Sequence, residues 1–535
     1  MPQQRLMRRL MGLVGGLAVP LLTPPAIALM NSVSEAGIDA QRLHAAPFNL
    51  TGAKISIGQV EIGRPAQFGL DKAAVNNRVV NVSRLFYQNA LAQANDYVDG
   101  HAANVASIMI SQDKLLTGVA PNARLYASAV GFIERGGQPQ ECLSSQTIAM
   151  QNGNDVRATN FSFGESLMND SRPDATLDGN ALLTQCIDWL AREQDVLYVI
   201  AGNQGRGGIP IPTDNFNGMN VANSSRVDGV FRKVDFSNLG SEPVVVIGRD
   251  PATESNVGPR RSVSLIAPGT GIEMINPDGS TIQATGSSFA APHVTATVAL
   301  VQEFGDRQIR HGAPNWSLDA RRHEVTKAVL MNSADKLQDS GDGLRLGMTR
   351  TVVDQRNNTW LESDAYQDQE IPLDAELGTG HLNAYRAIQQ LSFGQWSPDA
   401  AVPAIGWDYR SVGGDAGKYQ DYVFEQPLQG GSLISVTLAW DRQVELMDAN
   451  ENGLFDIGET FEDKGLNDLN IYLMRADEDD TSDSIWSSVS EVDSVEHIFH
   501  EIPETGRYKI RVVYRDRVNE PTQPYAIAWW TVPAK

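Results

Sequence analysis

From Lys54 to about Gln390, short apolar runs alternate with stretches of helical spacing. Lys54 to Val60 reads as a strand, and Gly100 to Ile110 as a helix with Val105, Ile108 and Met109 on one apolar face. Asp195 to Ala201 is a near-continuous apolar run, the pattern of a strand buried on both faces of a parallel sheet. Val244–Ile247 and Val263–Ile266 are two further expected strands. Ser288 to Phe304 is rich in alanine and valine and apolar on most sides, so a buried helix is expected there. The alternation predicts an α/β domain on a parallel sheet. After Ser392 the period changes to two. Ile434 to Trp440, Tyr508 to Tyr514 and Tyr525 to Thr531 alternate between turn residues, and no amphipathic helix intervenes. That predicts an antiparallel β-sandwich over 393–535.

The ends and the charge narrow the picture. Arg5, Arg8 and Arg9 precede a mostly apolar stretch from Leu10 to Leu22, and Ala26-Ile27-Ala28 forms a small-x-small site. Residues 1–28 therefore read as an export signal rather than a membrane anchor, because Pro20, Pro24 and Pro25 interrupt the run. A secreted or periplasmic protein with no stable membrane span is expected. Residues 29–52 form a polar lead-in, and 53–392 the α/β domain. The formal charge of −22 repels phosphate, so nucleic acid is not an expected partner. Two cysteines, Cys142 and Cys186, leave either a disulfide or two buried thiols open.

Four short blocks carry candidate chemistry. Gly286-Ser287-Ser288-Phe289-Ala290-Ala291-Pro292 places a serine at a helix N-terminus, where its hydroxyl is accessible and its amide faces the reacting centre. Pro292 is expected in the first turn, where a missing N–H costs little. Gly100-His101-Ala102-Ala103-Asn104 opens a helix with a histidine. Val60-Glu61-Ile62-Gly63 ends the first strand with a carboxylate, at the sheet edge where open α/β folds bind ligands. Ala201-Gly202-Asn203 follows a buried strand, and an asparagine there can donate to a developing oxyanion. Each block alone is an ordinary cap or turn. One edge of one sheet can gather all four. An α/β-hydrolase nucleophile turn is only half matched, since Ala290 replaces its last glycine and the acid and histidine would have to follow the serine.

In these blocks, taken in order, the chain resembles the subtilase family of serine peptidases. Gly118 to Ala123, Asn160 to Gly164, Phe236-Ser237-Asn238, Ala267-Pro268-Gly269 and Gly380 to Ala384 add weaker landmarks. The resemblance covers about residues 53–390. It implies a subtilisin-like α/β domain in which Ser288 is the nucleophile, His101 the general base, and Asn203 with the Ser288 amide the oxyanion site. Ser162, Phe163 and Gly164 are then expected to form an edge strand on which an extended substrate pairs, with Gly202 beside it. Two positions depart from the pattern. Glu61 stands where the family has aspartate, and Asn104 where it has a second histidine. The folded propeptide usual in such enzymes is missing, so folding is expected without one. The function implied is a secreted, monomeric serine endopeptidase acting on proteins or peptides. The alternative is a catalytically silent subtilase fold that only binds.

One further motif lies in the second domain. Asp448, Asn450, Asn452, Asp456 and Glu459, with the Leu454 carbonyl, fall at the ligand positions of a twelve-residue calcium loop, and Gly453 makes its tight turn. A structural Ca²⁺ is expected, although the usual flanking helices are not evident.

Overall fold

The computed structural model describes residues 29–133, 137–165, 167–173, 175–202, 211–234, 256–257, 259–414 and 417–535. The export segment 1–28, Asn203 and the expected strand Val244–Ile247 lie outside the described residues.

Among the described residues the main sheet has ten strands. Across it run Val352–Val353, Val230–Lys233, Met219–Val227, Leu197–Ala201, Val156–Phe161, Ser56–Glu61, Arg124–Ala129, Arg84–Tyr87 and Ala90–Leu91, with Leu265–Pro268 paired to Met219–Val227. The central pairings are parallel; two hairpins near the edges are antiparallel. Both faces are covered. Leu197, Val199 and Ala201 point into a core shared with the helices Gly100–Ile110 and Ser287–Arg310, while Tyr198 and Ile200 point into a second core under Gln138–Ala149 and Leu182–Gln194. This is why the run 196–201 is apolar at every position. The second core is stapled by a disulfide between Cys142 and Cys186, one from each helix.

Two expected elements shift. The strand expected at Val263–Ile266 forms at Leu265–Pro268. The helix expected to end at Phe304 runs on to Arg310. Its last turns are polar because they hold the lead-in. Glu303 Oε2 accepts from the N–H groups of Thr51, Gly52 and Ala53 at 2.8, 2.7 and 3.1 Å, and Arg307 donates to the carbonyls of Phe48 and Asn49 at 2.6 Å. The lead-in is itself folded: Val33, Ile38, Leu43 and Leu50 are buried in the main core.

The second region is a sandwich of two four-stranded antiparallel sheets. One runs Ile405–Gly413, Thr522–Trp530, Leu433–Ala439, Val495–Glu501; the other Tyr419–Val423, Tyr508–Asp516, Asp468–Arg475, Trp486–Ser488. Inward-facing Val436, Leu438, Ile471, Ile510, Ile527 and Trp529 fill the space between them, as period-two strands require. The outer face of the first sheet packs on the helix His323–Asn332, where Ser435 Oγ and Thr437 Oγ1 donate to Asn332 Oδ1 at 2.8 and 3.2 Å.

Candidate active site

Glu61, His101 and the helix start that carries Ser288 lie together at the carboxyl edge of the main sheet. Glu61 is the last residue of Ser56–Glu61 and is buried. Successive strand residues face opposite ways, so Gln59 shares its face. Gln59 Nε2 donates to Ala102 O at 2.9 Å, fastening the histidine helix to the strand, and lies 3.5 Å from Glu61 Oε1. Asp99 caps that helix by accepting from the Ala102 N–H at 2.9 Å. Gly63 is needed where the chain passes this cap, because a Cβ would stand 2.3 Å from Asp99 Cβ. His101 thereby presents its ring to Glu61: Nδ1 lies 3.2 Å from Glu61 Oε2, with the imidazole 39% exposed and the carboxylate 4%. Burial alone would lower the His101 pKa. The charge and hydrogen bond of Glu61, with the charge of Asp99, outweigh it and hold the imidazole above its ordinary value of 6.5.

Ser288 is the second residue of Ser287–Arg310 and partly exposed. The ring of Phe289 packs 5.5 Å from that of His101, which brings Ser288 and His101 to one place. The Ser288 hydroxyl donates to the Ser162 carbonyl at 3.2 Å, and no hydrogen bond joins it to His101 among the described residues. Loose contacts of this kind are common in sites without substrate.

Pro292 is not in the first turn as expected but is the sixth residue of the helix. Lacking an N–H, it leaves the carbonyl four residues earlier without its helical donor. That carbonyl belongs to Ser288, and Ser162 Oγ supplies the bond at 2.7 Å. Ser162 Oγ in turn accepts from Asn160 Nδ2 at 2.9 Å. The proline thus couples the serine helix to the segment expected to hold substrate.

Ser162, Phe163 and Gly164 do not form the expected edge strand. The strand Val156–Phe161 stops just before them and lies between two parallel neighbours. Among the described residues they have no sheet partner and run on beyond the sheet edge, with Phe163 stacked on Phe161 and Gly164 exposed. Sheet pairing resumes only at Glu165, which bridges Ile211 through two 2.8 Å hydrogen bonds. Gly202 is buried and donates to Val221 O at 3.1 Å. Asn104 donates to Ile275 O and Asn276 Oδ1 at 3.0 and 3.1 Å, a structural bond away from Glu61. Sequence reasoning missed Gln59, Asp99 and Phe289. Only Asp99 had a local signal, an acid immediately before a helix.

The acidic loop sits apart from this edge. It caps the hairpin Gln443–Met447 and Thr460–Gly465, in place of the flanking helices of the usual motif. Asp448 accepts from the N–H groups of Asn450, Glu451 and Gly453, and Glu459 from those of Ala449 and Asp456. Asn450 and Asn452 both turn toward Asp456 Oδ2. The available donors are all carboxylate, amide or carbonyl oxygens, the set that suits calcium. Phe455 is buried against the α/β domain, its N–H and C=O bonded to the Gln146 amide at 2.6 and 3.1 Å.

The family model described as the subtilase family matches residues 32–349. An alkaline protease of Alkalihalobacillus alcalophilus is 26% identical over 241 residues, 44% of this chain and 52% of that protein. Subtilisin Savinase of Lederbergia lenta is 25% identical over the same length, 44% of this chain and 73% of that protein. The chain therefore spans about half the length of the first of these relatives. A solved structure of the prenylagaramide maturation protease PagA is similar at 22% identity and TM-score 0.41, covering 66% of this chain and 99% of that one. The family match extends upstream into the lead-in that packs on the main core. With more than half of its length matched by the family model, this chain belongs to the subtilase family.

Proposed function

We propose that the protein is an exported serine endopeptidase in which Glu61, His101 and Ser288 act as the triad. The observation that carries this reading is the Glu61–His101 contact at 3.2 Å beside the N-terminus that bears Ser288. His101 accepts the Ser288 proton as Oγ attacks a peptide carbonyl, and the hydroxyl must first rotate away from Ser162 O. The oxyanion is stabilised by the Ser288 amide at the helix N-terminus and by Asn203, assigned from its place in the Ala201-Gly202-Asn203 block. His101 returns the proton to the leaving amine, and water releases the acyl group. The unpaired chain Ser162–Gly164 receives the substrate backbone by strand addition. Export is supported by the N-terminal sequence; among the described residues no helix is long and apolar enough to cross a membrane.

A Ca²⁺ held by Asp448, Asn450, Asn452, Leu454 O, Asp456 and Glu459 is part of the same proposal. It would neutralise the loop's carboxylates and fix the turn that carries Phe455.

Hydrolysis of labelled casein by the purified chain and by Ser288→Ala tests the peptidase reading. Cleavage that is lost in the variant supports it. A folded, calcium-supplied protein that cleaves neither casein nor a diverse peptide library would instead be a silent binding member of the family.

A further inference from the structure

Gln59 is fully buried near the end of Ser56–Glu61. The face it shares with Ile57 looks into the main apolar core, with Ala127 and Asn160 as its register neighbours on the two flanking strands. Its amide is forked. Nε2 donates to Ala102 O at 2.9 Å and reaches Glu61 Oε1 at 3.5 Å. Both partners are acceptors, so the nitrogen and not the oxygen must face them. The amide oxygen, Oε1, is buried and has no donor among the described residues.

A glutamine is a costly choice at this position. A buried amide oxygen without a donor loses its hydration with no return, and an apolar side chain of the same shape avoids that loss. The bond to Ala102 O does not account for it. That carbonyl lies inside Gly100–Ile110, where the N–H four residues on already serves it. Glu61 supplies the reason. Glutamate has one more side-chain torsion than aspartate, and such a torsion has three staggered wells. His101 holds Oε2 alone. Among the described residues Gln59 is the one donor to Oε1. At 3.5 Å that contact is at the long end for a hydrogen bond, as is common before substrate binds.

We propose that Gln59 is a positioning residue for Glu61: it holds the second carboxylate oxygen so that the longer side chain keeps its first against His101, and the two residues together replace the single aspartate of the family pattern. The inference rests on the peptidase reading for its effect on turnover. The geometry it claims is measurable without turnover. The same amide joins the acid strand to the helix of His101, so acid and base are located by one group.

The test compares wild type with Gln59→Met, which keeps the length of the side chain and loses the donor. Gln59→Leu takes its place if circular dichroism shows the methionine variant unfolded. Titration of the His101 ring by NMR, with Ser288→Ala in both proteins, reads the contact directly. Asp99, the other charged group that acts on His101, is the same in both, so a change reports on Glu61. The His101 pKa should fall by about 0.5 pH unit or more in Gln59→Met, as its counter-charge swings away. In the chain with Ser288 intact, kcat should fall about 10-fold with KM within about twofold, the loss of one hydrogen bond to a charged group. Glu61→Gln should cost about 10-fold less in the Gln59→Met background than alone, because the two act as one unit. A glutamine that merely pins the helix would lower Tm and move neither the His101 pKa nor this coupling. An unmoved or raised His101 pKa, full kcat in Gln59→Met, or additive losses overturn the positioning role. If wild type cleaves casein and Gln59→Met cleaves it equally well, only this role falls. If wild type cleaves nothing while the His101 pKa still falls in Gln59→Met, the positioning role stands and the peptidase reading falls.

Discussion

In the proposed peptidase, Glu61 is the residue on which the chemistry turns. It carries one methylene more than the aspartate of the family pattern, and at that length its oxygen reaches His101 Nδ1 at 3.2 Å. Shortening it by about 1.5 Å, one carbon–carbon step, opens the contact. Glu61→Asp should therefore lower kcat/KM, by about 100-fold if a misplacement of this size behaves as it does elsewhere. Glu61→Gln keeps the shape but removes the charge, and should cost on the order of 10⁴ in kcat. The pH profile gives a second readout. The base must be neutral, and Glu61 holds the imidazole above 6.5, so the acid limb of kcat/KM should lie above that value and move to lower pH in Glu61→Gln. An unmoved limb, or full activity in Glu61→Asp, would show that another acid orients His101. The position of this carboxylate at a strand end was legible in the sequence. The bracing by Gln59 was not, because its bond to Ala102 spans 43 positions.

At the scale of elements, the hairpin that carries the acidic loop does more than decorate the sandwich. Phe455 at its tip is buried beside Phe461, with ring centroids 5.5 Å apart, and is bonded to Gln146 on the helix that also carries Cys142 and Glu141. Loss of the proposed ion should leave the carboxylates of Asp448, Asp456 and Glu459 mutually repelling and loosen this contact. Titration calorimetry on the chelated full chain should give about one bound Ca²⁺. Chelation should lower Tm by several degrees, and Glu459→Ala should remove both effects; a Tm indifferent to chelator would count against the ion. The turn itself was legible because its acidic and glycine spacing is local. Its docking partner was not, since Gln146 lies 309 positions away. The Ser162–Gly164 segment shows the same limit. Its sequence continues a strand, but both neighbouring strands end where it begins, so it projects beyond the sheet.

For the whole molecule, the joint between the two regions contains a buried polar cluster among apolar contacts. His323 lies between Asp195 Oδ1 at 2.9 Å, Glu324 Oε2 at 3.2 Å and, from the sandwich side, Asp441 Oδ2 at 3.1 Å. Arg442 reaches Asp188 at 2.6 Å in a second clasp. Burial would discharge His323, but Asp441, Glu324 and Asp195 together raise its pKa well above the ordinary value. A histidine with a raised folded-state pKa stabilises fully below about pH 6.5, and the gain is lost as pH rises through the folded value. His323→Ala should destabilise the protein by about 3–5 kcal/mol at pH 6, since it strands buried carboxylates. Urea unfolding across pH should show the difference from wild type shrinking at alkaline pH. A constant difference would mean that His323 acts by packing alone.

The chain by itself determined what depends on near neighbours: the parallel-sheet domain followed by a sandwich, the helix opened by His101, the buried strand before Gly202, the serine at a helix start and the acidic loop. Periodicity, caps and ligand spacing are short-range quantities, and folding preserves them. Tertiary structure decided what depends on residues far apart in sequence. It joined Cys142 to Cys186, put Pro292 deep enough to free the Ser288 carbonyl for Ser162, folded the polar lead-in onto the core through Glu303 and Arg307, and set Glu141 against Glu165. Each of these is a contact between elements, fixed only when buried groups must find their partners in a closed core.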